Sequence, residues 1–333
     1  MGANDYVELR CASSFSFLRG ASHPEELWAQ AAELGYRRLA LTDVNGLYGI
    51  VRAFNAGKAH GVEVLPGVEL HTDDGFRLVA LPTDRAAYGR LCRLLSMARL
   101  RTGKGGFRLA FDEVAAASEG LVALHVGDPE PLRLAREKEV FGDRLHLALE
   151  RRFTPADPAL LSACEAASRR FDVPLVATGS VLMHARARKP LQDILTCIRV
   201  GKRIDDAGRH LLPHGMGYLR SVDEMRRLFP HHPEALRRTV DLADRCTFRL
   251  HELVHDFTLE VLPEGETGLG YLRKLVEKGA SERYPAGVPA EVRTQIEHEM
   301  KLIEELRFEG YFLTVWDIVR FARSRGKIGR AHV

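Results

Sequence analysis

The fold is decided by the stretch HPEELWAQAAELGYRRLAL, residues His23 to Leu41. Its first part places Leu27, Ala31 and Leu34 at helical spacing, so that they share one face. A proline in the first turn and a glycine after the last apolar residue frame this helix. Its last part, Arg37 to Leu41, is a short apolar run of ordinary strand length. The stretch therefore predicts a helix that leads directly into a buried strand.

The same alternation of short apolar runs and amphipathic stretches continues to about residue 200. Seven runs have strand character: Tyr6 to Arg10, Arg37 to Leu41, Val62 to Gly67, Arg77 to Leu81, Leu121 to Val126, Leu145 to Glu150 and Pro174 to Thr178. Strands that alternate with helices in this way predict an α/β fold with a mainly parallel sheet. Periodicity alone does not distinguish a closed barrel from an open sheet.

Composition excludes several classes of protein. The chain has 333 residues, of which 45% are hydrophobic, and this supports a buried core rather than disorder. A formal net charge of +3 is too small to indicate nucleic-acid binding by itself. Five widely spaced cysteines argue against a disulfide framework. The chain shows no long apolar run and no basic, apolar leader, so we predict a cytoplasmic protein with no membrane contact.

The character of the chain changes beyond residue 200. Residues 201–221 predict an irregular connection, and two short helices follow it. Val261 to Gly268, which is rich in proline, glycine and acidic residues, is the best candidate for a linker. Residues 269–284 and 290–325 have a strongly helical pattern. We therefore predict one domain over residues 1–265, a helical segment over 266–326, and a separate tail over 327–333.

Two motifs near the start carry a resemblance to a known family. FSFLRGASHPEEL (Phe15 to Leu27) and RRLALTDVNGLYGIVRAF (Arg37 to Phe54) resemble the beginning of bacterial C-family DNA polymerases. GYFLTVWDIVRFARSRG (Gly310 to Gly326) resembles the entry to their palm, and Pro190 to Ser221 resembles the error-prone branch. The resemblance implies a distorted (β/α) barrel of the PHP (polymerase and histidinol phosphatase) type, followed by a mainly helical segment leading into a polymerase palm.

The resemblance also implies a degenerate metal site. Active members of the family supply ligands as His-x-His in the first strand, Thr-Asp-His after the second, Glu after the third, a His on the next strand, and a late Asp-x-His. The matching positions here are Arg10 and Ala12, Asp43 and Val44, Glu69, Arg77, and Ser180 and Leu182. Only Asp43 and Glu69 keep a ligand. Two carboxylates without imidazole are a poor site for a transition metal.

Three interpretations of this site remain open on the sequence alone. In the first, Arg10 neutralises Asp43 or Glu69 in a purely structural arrangement, because two buried carboxylates with no cation would be costly. In the second, Asp43 and Glu69 hold a weakly bound divalent ion, with His125 as a possible third ligand after its strand. In the third, the domain is a competent metal-dependent phosphoesterase or exonuclease. An isolated histidine such as His125 is more often a hydrogen-bonded structural group.

Evidence for nucleic-acid contacts is weak. The loop RTGKGGF, residues Arg101 to Phe107, lacks the spacing of a phosphate-binding loop but is basic. Arg101 and Lys104 in this loop, and Lys202 and Arg203 further on, are the candidates for contacts with phosphate groups.

Function follows from the resemblance, which implies an error-prone DNA polymerase of damage-induced mutagenesis and translesion synthesis. Such a protein takes DNA and deoxynucleoside triphosphates, uses Mg²⁺ held by palm carboxylates, and works with a sliding clamp and accessory proteins. The alternatives are phosphoesterase or exonuclease activity, and a non-catalytic DNA-binding or assembly module. The ending KIGRAHV (Lys327 to Val333) departs from the family, so we expect that the gene continues beyond Gly326 and that these seven residues are an artefact.

Overall fold

A computed structural model describes residues 6–253 and 262–327 of the chain. They form two compact units that divide between Glu252 and Leu253, earlier in the chain than the predicted boundary at residue 265. The predicted tail, apart from Lys327, lies outside the described residues, as does the beginning of the predicted linker. None of the helices in the described part of the chain is long and apolar enough to cross a membrane.

Unit 1 is built on a six-stranded sheet whose strands neighbour one another in chain order. Its strands are β1 (Arg38–Val44), β2 (Glu63–His71), β3 (Arg77–Pro82), β4 (Leu121–His125), β5 (Leu145–Leu149) and β6 (Leu175–Ala177). All neighbours are parallel except that β3 is antiparallel to both β2 and β4. The connection between β2 and β3 is too short for the crossover that a parallel pair requires. The prediction of a mainly parallel sheet is confirmed with this one exception.

The predicted first strand, residues 6–10, does not form a regular ladder. It belongs to an extended segment that makes two isolated parallel bridges, one between Glu8 and Leu39 of β1 and one between Cys11 and Val181 beyond β6. The carbonyl oxygen of Glu8 accepts from the N–H of Ala40 at 3.0 Å, whereas Val181 exchanges bonds with the opposite side of the segment. Because its hydrogen bonds are divided between two neighbours, the segment joins the two edges of the sheet and gives it the curl of a barrel.

Helices cover the outside of this sheet. They are α1 (Pro24–Glu33), α2 (Ile50–His60), α3 (Arg85–Leu100), α4 (Phe111–Ala116), α5 (Pro131–Phe141), α6 (Asp157–Phe171), α7 (Lys189–Val200), α8 (Ile204–Ala207), α9 (Val222–Leu228) and α10 (Pro233–Arg245). In α1 the predicted face is buried at Leu27 and Ala31. Trp28 on the same helix is fully buried and donates its indole N–H to the carbonyl of Val62 at 3.0 Å. The polar N–H of the indole can be buried because it has a hydrogen-bond acceptor.

Unit 2 consists of three helices, α11 (Gly268–Arg283), α12 (Ala290–Leu306) and α13 (Glu309–Ser324). One residue from each helix forms its small buried centre: Leu272, Met300 and Leu313. The stretch 290–325, helical by its pattern, is interrupted at Arg307, whose φ of 54° lies in the left-handed region and ends α12.

Candidate functional site at the mouth of the barrel

The candidate site lies at one edge of the sheet. The C-terminal ends of parallel strands meet at the same edge, and the antiparallel β3 begins there. The register pairs Val44 with Glu69, and His71 with Arg77. A cavity of about 680 Å³ opens at this edge, and its lining includes Arg10, Arg77, His125, Glu150 and Ser180. The structure therefore brings most of the sequence candidates to one mouth.

Arg10 is the centre of the site. Its Nε donates to Oε2 of Glu69 at 2.8 Å, and its Nη2 donates to Oε1 of the same carboxylate at 3.2 Å. Its Nη1 donates to Oε2 of Glu150 at 2.5 Å and to the hydroxyl oxygen of Ser180 at 2.7 Å. The side chain is only 11% exposed. The guanidinium of Arg10 thus links Glu69, Glu150 and Ser180, which lie at or just beyond the ends of three different strands.

These contacts keep Arg10, Glu69 and Glu150 ionised although all three side chains are largely buried. Burial raises the pKa of Glu69, but the charges of Arg10 and His71 outweigh it and hold that pKa well below its ordinary value. Burial also opposes ionisation of Glu150, and Arg10 and Arg152 lower its pKa. The same two carboxylates raise the pKa of Arg10 against the effect of its burial. Charged side chains can remain buried when hydrogen bonds and opposite charges compensate for their lost hydration, as they do here.

Asp43, the other retained carboxylate, has a separate set of partners. Its Oδ1 accepts from the backbone N–H of Ser13 at 2.7 Å and from the hydroxyl of Ser16 at 2.7 Å. Its Oδ2 accepts from the hydroxyl of Ser13 at 2.8 Å. Burial raises the pKa of Asp43, and the bonds from Ser16 and Ser13 counteract this only in part. Asp43 therefore anchors the turn at residues 13–20, and Arg10 pairs with Glu69 rather than with Asp43.

The other positions that the resemblance assigns to a metal site carry no carboxylate or imidazole. Ala12 is buried and donates its N–H to the carbonyl of Val181 at 2.9 Å. Val44 donates its N–H to the hydroxyl of Ser16 at 2.9 Å, and Leu182 lines the cavity with an apolar side chain. Arg77 adds a second guanidinium to Glu69 at 3.1 Å. Within residues 6–253 and 262–327, no group of three or more His, Cys, Asp or Glu side chains is arranged to hold a metal ion.

His125 belongs to a different cluster from Asp43 and Glu69. Its Nδ1 lies 2.6 Å from Oε2 of Glu137, and its Nε2 lies 3.2 Å from the carbonyl oxygen of Asp128. Both contacts are satisfied when the ring is protonated. Burial lowers the pKa of His125, but Glu137 outweighs burial and the pKa is raised. The structure therefore does not bring His125 together with Asp43 and Glu69, and the ring is instead hydrogen-bonded to Glu137 and to the backbone of Asp128.

Comparison with known proteins identifies the chain's relatives. The chain is 44% identical to "Error-prone DNA polymerase" of Dechloromonas aromatica, over 98% of this chain and 32% of that protein. It is 41% identical to a protein of the same name from Rhodopirellula baltica, over 96% of this chain and 29% of that protein. The chain is homologous to bacterial error-prone DNA polymerases. It spans about a third of the length of these relatives.

Two family models match separate parts of the homologous region. The PHP domain model matches residues 8–148, and the model described as "Bacterial DNA polymerase III alpha NTPase domain" matches residues 270–331. Among solved structures, the chain matches an amidohydrolase from Chromobacterium violaceum with a TM-score of 0.41 and 14% identity, over 54% of this chain and 88% of that one. In this error-prone polymerase homologue, the site around Arg10 thus lies partly inside the PHP match and is completed by Glu150, just beyond the match, and by Ser180, further along the chain.

Two carboxylates that pair with the candidate residues are not among those predicted from the sequence. Glu150 ends the predicted strand LHLALE, and its carboxylate forms an ion pair with Arg10 that the strand pattern does not predict. Its position at the end of a barrel strand was the available signal. Glu137, the partner of His125, lies within α5, and nothing in its spacing marks it as buried and paired.

The candidates for nucleic-acid contact have different surroundings. Arg101 forms an ion pair with Glu113, whereas Lys104 has no ion-pair partner among the described residues. Their loop is held by Arg99, whose guanidinium lies 5.8 Å from the ring centroid of Tyr48 and 4.9 Å from that of Phe107. Lys202 and Arg203 are exposed just beyond the end of α7. Their contact with nucleic acid stays a prediction.

Proposed function

We propose that this chain is part of a DNA-directed, error-prone DNA polymerase and that its PHP-type unit is a non-catalytic scaffold. The observation that carries the proposal is identity of 41% to 44% with proteins named error-prone DNA polymerases, over at least 96% of this chain. Homology to these relatives over nearly the whole chain, together with a PHP match at residues 8–148 and a polymerase III alpha match at residues 270–331, favours this function over a free-standing phosphoesterase.

The scaffold role is supported by the chemistry of the barrel mouth. A hydrolytic centre of this kind needs a metal that polarises the phosphoryl oxygen and activates water. Here the guanidinium of Arg10 supplies positive charge between Glu69 and Glu150, but it has no open coordination position for water. Asp43 is already bonded to two serines. In this proposal Arg10 supplies the positive charge that a metal ion would provide, but it does not activate a water molecule for hydrolysis.

The complete polymerase would transfer deoxynucleotides to a primer on a DNA template, with Mg²⁺ held by carboxylates elsewhere in the protein. Paired metal ions stabilise both the attacking and the leaving oxygen in such displacements. Translesion synthesis, damage-induced mutagenesis, a cytoplasmic location, and contacts with a sliding clamp and mutagenesis accessory proteins extend the same proposal. Each rests on the family resemblance rather than on a feature of unit 1.

Primer extension tests the proposal directly. We expect the product of the complete gene to extend a primer on a DNA template with Mg²⁺, and the 333-residue chain alone to incorporate no nucleotide. The same samples are assayed for shortening of the primer with Mn²⁺ or Zn²⁺. Release of nucleotides by the 333-residue chain, abolished by Asp43→Asn, would instead support the metal-dependent exonuclease. Tight DNA binding without any activity from either product would favour the binding module.

A further inference from the structure

The cavity at the barrel mouth has an unusual balance of charge. Six arginines line it together with only three carboxylates, Asp128, Glu130 and Glu150. Two further carboxylates, Glu69 and Asp157, pair with these arginines from outside the lining. The six arginines therefore exceed the five carboxylates around the cavity by one positive charge.

The acidic groups of the cavity are already engaged. Glu150 accepts from Arg10 and Arg152, and Asp128 forms an ion pair with Arg152 at 3.0 Å. Glu130 caps α5, where its carboxylate accepts from the backbone N–H groups of residues 132 and 133. These backbone bonds, and to a smaller extent the charge of Arg133, lower the pKa of Glu130, and Glu130 forms no direct ion pair with an arginine of the cavity.

Two guanidinium groups form no ion pair with a carboxylate. Arg133 is exposed, and its guanidinium packs against Gly75 and lies 5.9 Å from the centroid of the Phe76 ring. Arg209 is exposed on the short turn at Gly208–His210. Neither has an ion-pair partner among residues 6–253 and 262–327, and both line the same cavity. Arg77 is 47% exposed and uses only Nη2 on Glu69, so its other donors remain available.

The wall that carries Arg209 is fixed rather than loose. His214, on the same segment, donates from Nε2 to the carbonyl of Arg152 at 2.7 Å and accepts at Nδ1 from the N–H of Met216 at 3.2 Å. At the floor of the cavity, Ser180 accepts from Arg10 and keeps its own hydroxyl proton for a ligand. The cavity thus presents exposed guanidinium donors above a polar floor.

We propose that the barrel mouth is a metal-independent binding site for a small phosphate-bearing anion, held by Arg133, Arg209 and the free donors of Arg77. The planar fork of a guanidinium matches two phosphate oxygens at once. A cavity of about 680 Å³ falls in the size range of small-molecule sites, which excludes a duplex but admits a few linked phosphates or one nucleotide. The proposal is independent of the polymerase assignment, because it concerns binding and not nucleotide transfer.

Calorimetric titration of the 333-residue chain tests this site, in low salt with EDTA present. The probes are inorganic tripolyphosphate and a short single-stranded oligonucleotide that ends in a 5′ phosphate. We expect one tripolyphosphate per chain, and we expect Arg133→Glu combined with Arg209→Glu to weaken it by at least about tenfold. The matched control combines Arg85→Glu with Arg93→Glu, which makes the same change in net charge on the exposed face of α3, away from the cavity.

The outcomes separate the sources of the phosphate. If only the phosphorylated oligonucleotide binds, and the cavity variant alone weakens it, the site stands with a nucleic-acid end as its ligand. The proposal is overturned if neither probe binds, if both double variants lose binding equally, or if binding requires added Zn²⁺ or Mn²⁺. Both double variants are first compared with the native chain by thermal unfolding. If the cavity variant is unfolded, Arg133→Gln and Arg209→Gln are titrated singly, with the same criteria.

Discussion

At the scale of single residues, Arg10 is the most consequential side chain of unit 1. It places one positive charge among two buried carboxylates and satisfies Glu69 in a bidentate manner. Its guanidinium balances part of the buried negative charge of the two carboxylates. The two carboxylates therefore depend chiefly on this side chain, since their other partners (His71 and Arg77 for Glu69, Arg152 for Glu150) are more exposed.

Substitution Arg10→Met tests that dependence. We expect it to lower the free energy of unfolding by about 3–5 kcal/mol, because it leaves two buried carboxylates without their main partner. The measurement is denaturant unfolding at neutral pH. Arg52→Met, which breaks the half-exposed pair with Glu25, is the matched control and should cost less than about 1 kcal/mol. Adding Glu69→Gln and Glu150→Gln to Arg10→Met should recover part of the loss; a triple variant no more stable than Arg10→Met would contradict the charge argument.

The same ion pairs predict how stability changes in acid. The pKa of Glu69 is depressed in the folded state, so the unfolded chain binds more protons below about pH 4.3 and stability rises with pH there. The contribution of Glu69 is fully present above about pH 4.3 and is lost as the pH falls toward the depressed value. Unfolding free energies measured from neutral pH down into this window should fall more steeply for the native chain than for Arg10→Met. Parallel profiles would show that Arg10 does not depress this pKa.

At the scale of elements, the turn at residues 13–20 is bonded to the end of β1. Asp43 holds it through Ser13 and Ser16, and the chain returns so closely that Gly20 packs against the backbone of Ser13. A Cβ on Gly20 would lie 2.0 Å from the carbonyl oxygen of Ser13, which is a backbone atom and cannot move without displacing the turn. The turn and the buried aspartate therefore depend on each other.

Gly20→Ala should lower the free energy of unfolding by more than about 2 kcal/mol, because the added methyl forces the turn away from Asp43. Gly89→Ala is the control, since Gly89 lies within α3 and a Cβ there meets no atom within 4 Å. That change should stabilise the chain by up to about 1 kcal/mol, because alanine is a better helix former. Denaturant midpoints of the two variants are compared. Equal and small effects would mean that the turn adjusts freely.

At the scale of the whole molecule, the prediction concerns metal dependence. A cation that binds the folded chain must raise its thermal midpoint through linkage. Because Arg10 already supplies the charge between Glu69 and Glu150, we expect Zn²⁺ or Mn²⁺ to leave the midpoint unchanged and EDTA to have no effect. Differential scanning calorimetry of the 333-residue chain provides the measurement. A concentration-dependent rise that disappears in Asp43→Asn would instead reveal a divalent site.

The sequence by itself determined the α/β class, five of the strands nearly as they stand, and the helices at both ends of the chain. These features follow from local periodicity and capping, which act over a few residues. Position-by-position resemblance also located Arg10, Asp43 and Glu69. The reversed direction of β3 was not predicted, since an apolar run of strand length is the same in either direction.

Only the tertiary structure decided which charges meet. Arg10 pairs with Glu150, 140 residues away, and His125 pairs with Glu137 rather than with the retained carboxylates. The first segment divides its hydrogen bonds between β1 and Val181 because closure of the sheet brings those edges together. Such contacts depend on which distant residues the fold brings to the same edge of the sheet. The local sequence pattern around each residue does not contain that information. The cavity with Arg133 and Arg209 on its walls arises in the same way.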